Sequence, residues 1–449
     1  MDTYEEAVRF IDQVYKYGSH PGSENAAHLL ELLGHPETSM KIIHVAGTNG
    51  KGSVCAFLAD MLTACGYRMG LFISPHLVDI RERIQLNRSI ISREDFLTAF
   101  HEVADAVQRL SENGYTGITY FDYLFAIAMC YFAHTGAEYV VMETGLGGLY
   151  DSTNAVKHPV LTIITSVSMD HTEVLGDTLG KIARQKAGIL KPGVPLIYCA
   201  DEPEVCEVIA AEAKKKQVPC LGISRQDCRL LSLNEGMLRF EFHLKNQPAV
   251  ILTVNSIALY QMENASIAYA AALLLQHPEA SFRLLFNEQS EILKKALAHS
   301  CWEGRMEQVA SEIYIDGAHN ADGIRMLLDT LNMQIFSQES AKARPGILLF
   351  TAVREKDTDR MIQEICESGL FRRYILTSLN SPRAIPAKQL KAQFEQYTSL
   401  PIDIYDTPWQ AFLYGTSIRQ EGEIFLTAGS LYLVGTIKEN LLKQETEIK

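Results

Sequence analysis

The stretch Lys41–Ser53, KIIHVAGTNGKGS, constrains this chain more than any other. A mostly apolar run from Ile42 to Ala46 feeds a glycine-rich turn. The turn carries Lys51 and ends in the hydroxyl of Ser53, and a helix-like segment, Val54–Cys65, follows. Strand, Gly loop and helix in that order make a cradle for polyphosphate. Backbone N–H groups converge on the oxygens, a lysine neutralises them, and the helix N-terminus adds favourable partial charge. The match to G-x-x-x-x-G-K-[ST] is imperfect, because Gly52 separates Lys51 from Ser53. A plain tight strand–helix turn would also fit the glycines. The flanking strand and helix favour nucleotide binding, with Asn49, Gly50, Lys51, Gly52 and Ser53 around the phosphates.

A chain of 449 residues is too long for one ordinary core, so two or three domains are expected. The formal charge of −13 disfavours nucleic acid and anionic membrane as general partners. Short basic clusters such as Lys214–Lys216 read as solvated faces. No two of the nine cysteines have C-x-x-C spacing, which argues against a zinc site. Their odd number, and first residues that read as an acidic helix and not a signal sequence, point to a reducing compartment, the cytoplasm. The most apolar stretch, Tyr120–Ala133, contains Asp122 and is too short to span a bilayer, so it reads as a buried helix.

Along the chain, residues 2–16 and 24–33 look helical, with His20-Pro21-Gly22 as the turn between them. Strands are expected at Arg68–Ile73, Glu138–Met142, Val160–Thr165 and Pro195–Cys199. Helices are expected at 93–112, 119–135 and Thr178–Lys191, and Leu77–Asn87 reads as a charged loop. This alternation implies a mostly parallel sheet covered on both faces. Residues 229–254 alternate apolar and polar around Asn234-Glu235-Gly236, which reads as antiparallel hairpins at the sheet edge. Helices return at 262–276 and 281–298. From about residue 299 a second alternating block begins, with strands at Glu312–Ile315, Gly346–Phe350, Tyr374–Thr377, Ile402–Tyr405 and Ile424–Ala428. The expected fold is therefore α/β, with a P-loop-type, mostly parallel sheet domain over 1–298 and a smaller Rossmann-like α/β domain over 299–449.

Four polar groups fall just beyond the C-terminal ends of expected parallel strands: Lys51–Ser53, Ser74, Glu143 and Asp170-His171. Ligands bind at that edge in open α/β sheets. Glu143 could simply end a strand at a Gly-rich turn, but a carboxylate beside a phosphate loop is a natural Mg²⁺ ligand. Ser74 precedes a proline, where a hydroxyl usually forms a turn. His171 reads as a hydrogen-bonded loop histidine, since imidazole is a less usual magnesium ligand than oxygen. On pattern alone Lys186 is a helix-surface lysine.

Together the motifs resemble the folylpolyglutamate synthase and dihydrofolate synthase family of the Mur ligase superfamily. HVAGTNGKGSVC is similar to the family's phosphate loop and ISPHLVDIRERIQLN to its Ω-loop segment. YVVMETGLGG, TSVSMDHTEVLGDTLGKIARQKAGILKPG, YIDGAHN and GSLYLVG follow in the family's order, from about residue 40 to 437. The resemblance implies an ATP-binding N-terminal domain and a Rossmann-like C-terminal domain, with the active site between them. It implies that Asn49–Ser53 hold the ATP phosphates, that Ser74 and Glu143 ligate a first Mg²⁺ and His171 a second, and that Lys186 is carried as a carbamate. Asn264, Arg305 and Asp316 match nucleotide-contacting positions, and His319, Ser430 and Tyr432 match positions near a glutamate pocket. Three departures stand out. Leu149 replaces the arginine usual after GLGG, Ala321 replaces the proline usual after DGAHN, and PGSENAAHLL lacks the usual glycine-leucine-glutamate-arginine run.

The implied activity is an ATP-dependent amide ligase with ATP and Mg²⁺ as cofactors. A folate, or dihydropteroate, would be activated as an acyl phosphate and captured by L-glutamate. The expected partners are small molecules, with no nucleic acid and no membrane, and the implied state is a monomer. Two alternatives remain at this point. One is another Mur-type amino-acid ligase, which the roughly 40 residues before the phosphate loop disfavour. The other is a catalytically inactive nucleotide-binding paralogue, for which Leu149 is the hint.

Overall fold

The computed structural model describes residues 2–14, 23–244, 246–277, 290–337 and 344–448. The chain divides into two compact units. The first comprises residues 1–168, 172–255 and 261–301, and the second comprises 169–171, 256–260 and 302–449.

The first unit is built on eight strands: β1 (Lys41–Ala46), β2 (Met69–Phe72), β3 (Ile84–Leu86), β4 (Ser89–Ile90), β5 (Tyr139–Glu143), β6 (Leu161–Ile164), β7 (Leu196–Cys199) and β8 (Cys220–Ile223). Their order in the sheet is β4-β3-β2-β5-β1-β6-β7-β8. From β2 to β8 every pairing is parallel, and at the other edge the β2–β3 and β3–β4 pairings are antiparallel. A parallel sheet is covered on both faces, so its central strands need no polar face. After Lys41 every residue of β1 is buried, and all of β5 and β6 are buried. The apolar helix Tyr120–His134 is buried along most of its length, as its composition demands. It starts with a capping box in which Thr119 and Asp122 satisfy each other's backbone amides. Its core includes Phe72, Phe100, Phe125, Phe132 and Ile127.

Residues 228–255 form a separate three-stranded antiparallel sheet of β9 (Cys228–Asn234), β10 (Met237–Phe242) and β11 (Val250–Asn255), ordered β11-β10-β9. This corrects the expectation of an excursion on the main sheet's edge: the hairpins are present but, among the described residues, pair only with one another. Glu235 and Gly236 join β9 to β10, both at positive φ (52° and 78°), the two-residue turn whose twist suits a hairpin.

The second unit carries β12 (Glu307–Ala310), β13 (Ile313–Ile315), β14 (Arg344–Phe350), β15 (Phe371–Thr377), β16 (Ile402–Tyr405) and β17 (Glu423–Ala428). The order is β12-β13-β17-β14-β15-β16, parallel except for β12. The carboxyl ends of β13, β17 and β14 are therefore neighbours. Both sheets are α/β, as the alternation of elements implies.

The structure revises several segments. Leu77–Asn87 is not wholly a loop, because Ile80–Arg83 forms a 3₁₀ turn and β3 pairs with β2. The short strands β8 and β12 escaped sequence reading, since four residues carry little periodicity. The helix expected at 281–298 is described only as Glu291–His299. The turn His20-Pro21-Gly22, residues 15–16 and residues 281–289 lie outside the described residues.

Candidate nucleotide and metal site

β1 lies between β5 and β6, so the loop after β1 leaves the sheet at its centre. Crevices beyond strand carboxyl ends are where such sheets bind ligands. Gly50, at φ 84°, caps the helix Lys51–Ala64, and Lys51, Gly52 and Ser53 form its first turn. A left-handed conformation at that cap favours glycine. The loop is held from below by the segment after β6. The amide of Thr48 donates to Ser166 O (2.7 Å), and the hydroxyl of Thr165 donates to Asn49 O (2.7 Å). Ser168 N donates to Thr48 Oγ1 (3.1 Å). A β-carbon on Gly50 would meet Asn264 Oδ1. Asn264 in turn donates to Gln261 Oε1 (2.9 Å), and Gln261 donates to the buried Ser53 hydroxyl (3.2 Å). Asn49 to Ser53 and Asn264 thus come together. Thr165, Ser166 and Gln261 support them, three residues given no role from the sequence.

Glu143 ends β5 and is 3% exposed, opposite Val45 of β1. Its Oε1 lies 3.8 Å from Lys51 Nζ, and Lys51 also donates to Thr48 O at 3.1 Å. The backbone amide of Ser74 donates to Glu143 Oε2 (3.1 Å), so Ser74 and Glu143 are adjacent. A carboxylate and a hydroxyl-bearing residue beside a phosphate loop match the hard oxygen donors that magnesium prefers.

Lys186 is not the surface lysine its local pattern suggests. It is 2% exposed and its Nζ donates to Gly47 O at 2.7 Å, inside the phosphate loop's backbone. The loop after Glu143 packs on the end of the same helix, where Leu149 N donates to Gln185 O (2.7 Å). Asp151 ties that loop together by accepting from Leu146 N (2.7 Å) and from Thr153 N and its hydroxyl. The Thr153 hydroxyl gives its proton to Asp151, so the fully buried His44 donates to it from Nε2 (2.8 Å). Burial, with Lys191 as the second cause, lowers the His44 pKa to about 3. Leu149 and Tyr150 are exposed.

The second unit gathers another group. Asp170 accepts from Lys356 Nζ (2.5 Å), from His171 N (2.8 Å) and from Asn320 Nδ2 (3.1 Å). His319 Nε2 lies 3.8 Å from it. Burial alone would raise the Asp170 pKa. Lys356, then His319 and His171, outweigh it and hold the carboxyl well below the usual range. Desolvation, reinforced by Lys356, lowers His319 to about 3. Asp316 is buried and accepts from Tyr260 OH, Met306 N and Ala318 N, each at 2.7 Å. Burial raises its pKa, against the opposing pull of Arg305. A β-carbon on Gly317 would meet the Arg305 guanidinium, so Arg305 lies over the Asp316 loop. Ser430 accepts from Tyr432 N (3.2 Å) and begins the last helix; Ser430 is buried and Tyr432 exposed. Gly429 N donates to Ala318 O (2.9 Å), which brings the His319 and Ser430 loops together at the β13–β17 edge. Lys356, from the loop after β14, was not singled out in the sequence. It shares no motif with Asp170 and meets it only through the fold.

A phosphate-type loop at the centre of a parallel sheet, with a buried carboxylate beside its lysine, defines a nucleotide-binding α/β protein. Residues 45–272 match the Mur ligase middle domain, and residues 304–431 match the Mur ligase glutamate ligase domain. The dihydrofolate synthase/folylpolyglutamate synthase of Bacillus subtilis (strain 168) is 32% identical over 444 residues, covering 98% of this chain and 99% of that protein. A crystal structure of folylpolyglutamate synthase from Thermotoga maritima superposes with a TM-score of 0.79 at 29% identity, over 98% of this chain and 96% of that one. A solved FPGS–AMPPCP complex gives 0.80 at 28% identity, over 98% and 100%. The chain belongs to the folylpolyglutamate synthase/dihydrofolate synthase family of Mur ligases. Among the described residues, no helix is long and apolar enough to cross a membrane.

Proposed function

We propose that this chain is an ATP-dependent ligase that joins L-glutamate in amide linkage to a folate carrying a free carboxylate, tetrahydrofolyl-polyglutamate, and to dihydropteroate as a second acceptor. The observation that carries this reading is the pairing of Lys51 with Glu143 across 3.8 Å at the mouth of the glycine loop. That pairing puts a cation for phosphate and an oxygen donor for a divalent metal side by side. Full-length likeness to ligases of this class supports it, and a relative solved with an ATP analogue supports the nucleotide.

In the first step the acceptor's carboxylate attacks the γ-phosphorus of ATP, giving an acyl phosphate and ADP. In the second the amine of glutamate attacks the acyl carbon and phosphate leaves. Charge on the transferring phosphoryl group is met by Lys51 and by the amides of the loop and the helix start, which are already held in place by Thr165, Ser166 and Ser168. Such preorganised donors and exact placement of reactants lower the barrier without reorganisation during the reaction. Ser74 and Glu143 are the residues that would hold Mg²⁺, with His171 for a second ion. When bound, Mg²⁺ neutralises phosphate charge and orients the oxygens. Lys186, buried against Gly47, is read as a carbamate, which would exchange a buried cation for anionic oxygens. Asn264, Arg305 and Asp316 are assigned to the nucleotide, and His319, Ser430 and Tyr432 to glutamate. The departure at the exposed Leu149 is read as bearing on which acceptor is preferred. The protein is further read as a cytoplasmic monomer acting on small molecules.

The test is ADP release measured with each acceptor, with and without L-glutamate. ADP formation that needs both an acceptor and glutamate, with matching amide product, is expected. ATP turnover independent of any acceptor, with no amide formed, would refute the reading.

A further inference from the structure

Lys356 is 5% exposed and sits in the loop between β14 and the helix Thr358–Glu367. Its Nζ lies 2.5 Å from Asp170 Oδ1 and 3.3 Å from His171 Nε2. A lysine ammonium has donors only, so at this contact His171 Nε2 is the acceptor and the ring proton is on Nδ1. An imidazole nitrogen has one in-plane lone pair, which serves one partner at a time. The His171 side chain is one-third exposed, so solute cations can reach it.

We propose that Lys356 is a gate on His171: its ammonium holds the Nε2 lone pair that a divalent cation needs, so cation loading and the Lys356–His171 hydrogen bond exclude one another. The inference rests on the proposed reading of His171 as a cation ligand. Binding through the other nitrogen does not avoid the gate. A cation on Nδ1 moves the ring proton to Nε2, where it opposes the ammonium's own N–H. Either way Lys356 lets go of the ring. The geometry suits a swing and not a departure, because the contact to Asp170 is the shorter of the two. Asp170 is itself fixed by the His171 amide and by Asn320. The gate adds a second penalty, since an ammonium beside a divalent cation repels it. Lys356 is a positioning residue in this scheme: it keeps the His171 ring in one tautomer.

Mn²⁺, which can be followed by electron paramagnetic resonance, is the probe, added to the full-length protein without nucleotide. Lys356→Met removes the donor and the charge while keeping most of the unbranched side chain, one heavy atom shorter. Its Mn²⁺ dissociation constant should fall about tenfold or more, with stronger ¹⁴N coupling from an imidazole ligand. Since Lys356→Met leaves Asp170 buried without its cation, the double variant Lys356→Met/Asp170→Asn is compared with Asp170→Asn alone. The tightening should persist there, and it also serves if the single variant does not fold. Tightening that disappears in the Asp170→Asn background would assign the effect to Asp170 and overturn the gate. Equal affinity and equal ¹⁴N coupling in all forms would overturn the gate while leaving His171 as a ligand. Absence of ¹⁴N coupling in every form, including the wild type with ATP, would overturn the ligand reading and the gate with it.

Discussion

Replacing Gly50 by alanine tests how the phosphate loop is built. Two costs can be worked out from the structure. Gly50 sits at φ 84°, and an L-residue held in a left-handed conformation costs about 1–2 kcal/mol. The new β-carbon would also overlap Asn264 Oδ1, so the Asn264 amide has to move. Moving it breaks the 2.9 Å bond to Gln261, itself 2% exposed and bonded to Ser53. A buried amide left without a partner costs about 1–3 kcal/mol. The expected total is about 2–5 kcal/mol, read as the change in urea unfolding free energy. In an Asn264→Ala background the obstacle is gone, and Gly50→Ala should cost only the conformational part, about 1–2 kcal/mol. The coupling between the two sites, about 1–3 kcal/mol, is the quantity that reports their contact. ADP affinity, followed with a fluorescent analogue, should fall about tenfold in Gly50→Ala as the loop's amides shift, a loss of about 1.4 kcal/mol. An equal stability loss in both backgrounds would show that Asn264 does not pack against Gly50 and would refute the argument.

Two further predictions concern buried titratable groups near the same loop. If Lys186 acts as a carbamate, Lys186→Ala should lose most ligase activity and regain part of it when a small carboxylate such as acetate is added; a fully active variant without additive would count against the modification. His44 stays neutral in the folded chain down to about pH 3, whereas the unfolded chain protonates it near 6.5. Between those values only the unfolded state binds the proton, so His44 lowers stability by about 1.4 kcal/mol for each pH unit below 6.5. Urea unfolding of the wild type and His44→Gln between pH 4 and 7 should therefore give diverging lines, the wild type falling faster as pH drops; parallel lines would mean that His44 takes up its proton in the folded state.

The helix Tyr120–His134 and the strand β1 could be read directly, since their apolar content far exceeds what one covered face requires. So could the β9–β10 hairpin, because its two-residue turn has its own residue requirement. Short strands such as β8 could not, and the separate pairing of β9 to β11 could not either. A strand's alternation says which residues share a face and not which neighbour it joins. At the site, the glycine loop, Glu143 and Asp170-His171 announced themselves by following apolar runs. Gln261 and Lys356 did not, because each meets its partner about 200 positions away along the chain: 208 residues for Gln261–Ser53 and 186 for Lys356–Asp170.

The sequence alone determined the α/β class, the phosphate loop and the family, because all three are carried by residues adjacent in the chain, where turn geometry and hydrophobic period act locally. Only the tertiary structure decided that Lys186 is buried against Gly47 and not on a surface, and that Asn264 closes over Gly50. It likewise decided that Lys356 holds both Asp170 and His171. Lys186 and Asn264 lie on helices that the first unit packs against its phosphate loop, and Lys356 meets Asp170 and His171 within the second unit; each contact follows from the order of the elements in its own unit. That order is set by how whole helices and strands pack, and no local stretch of residues records it.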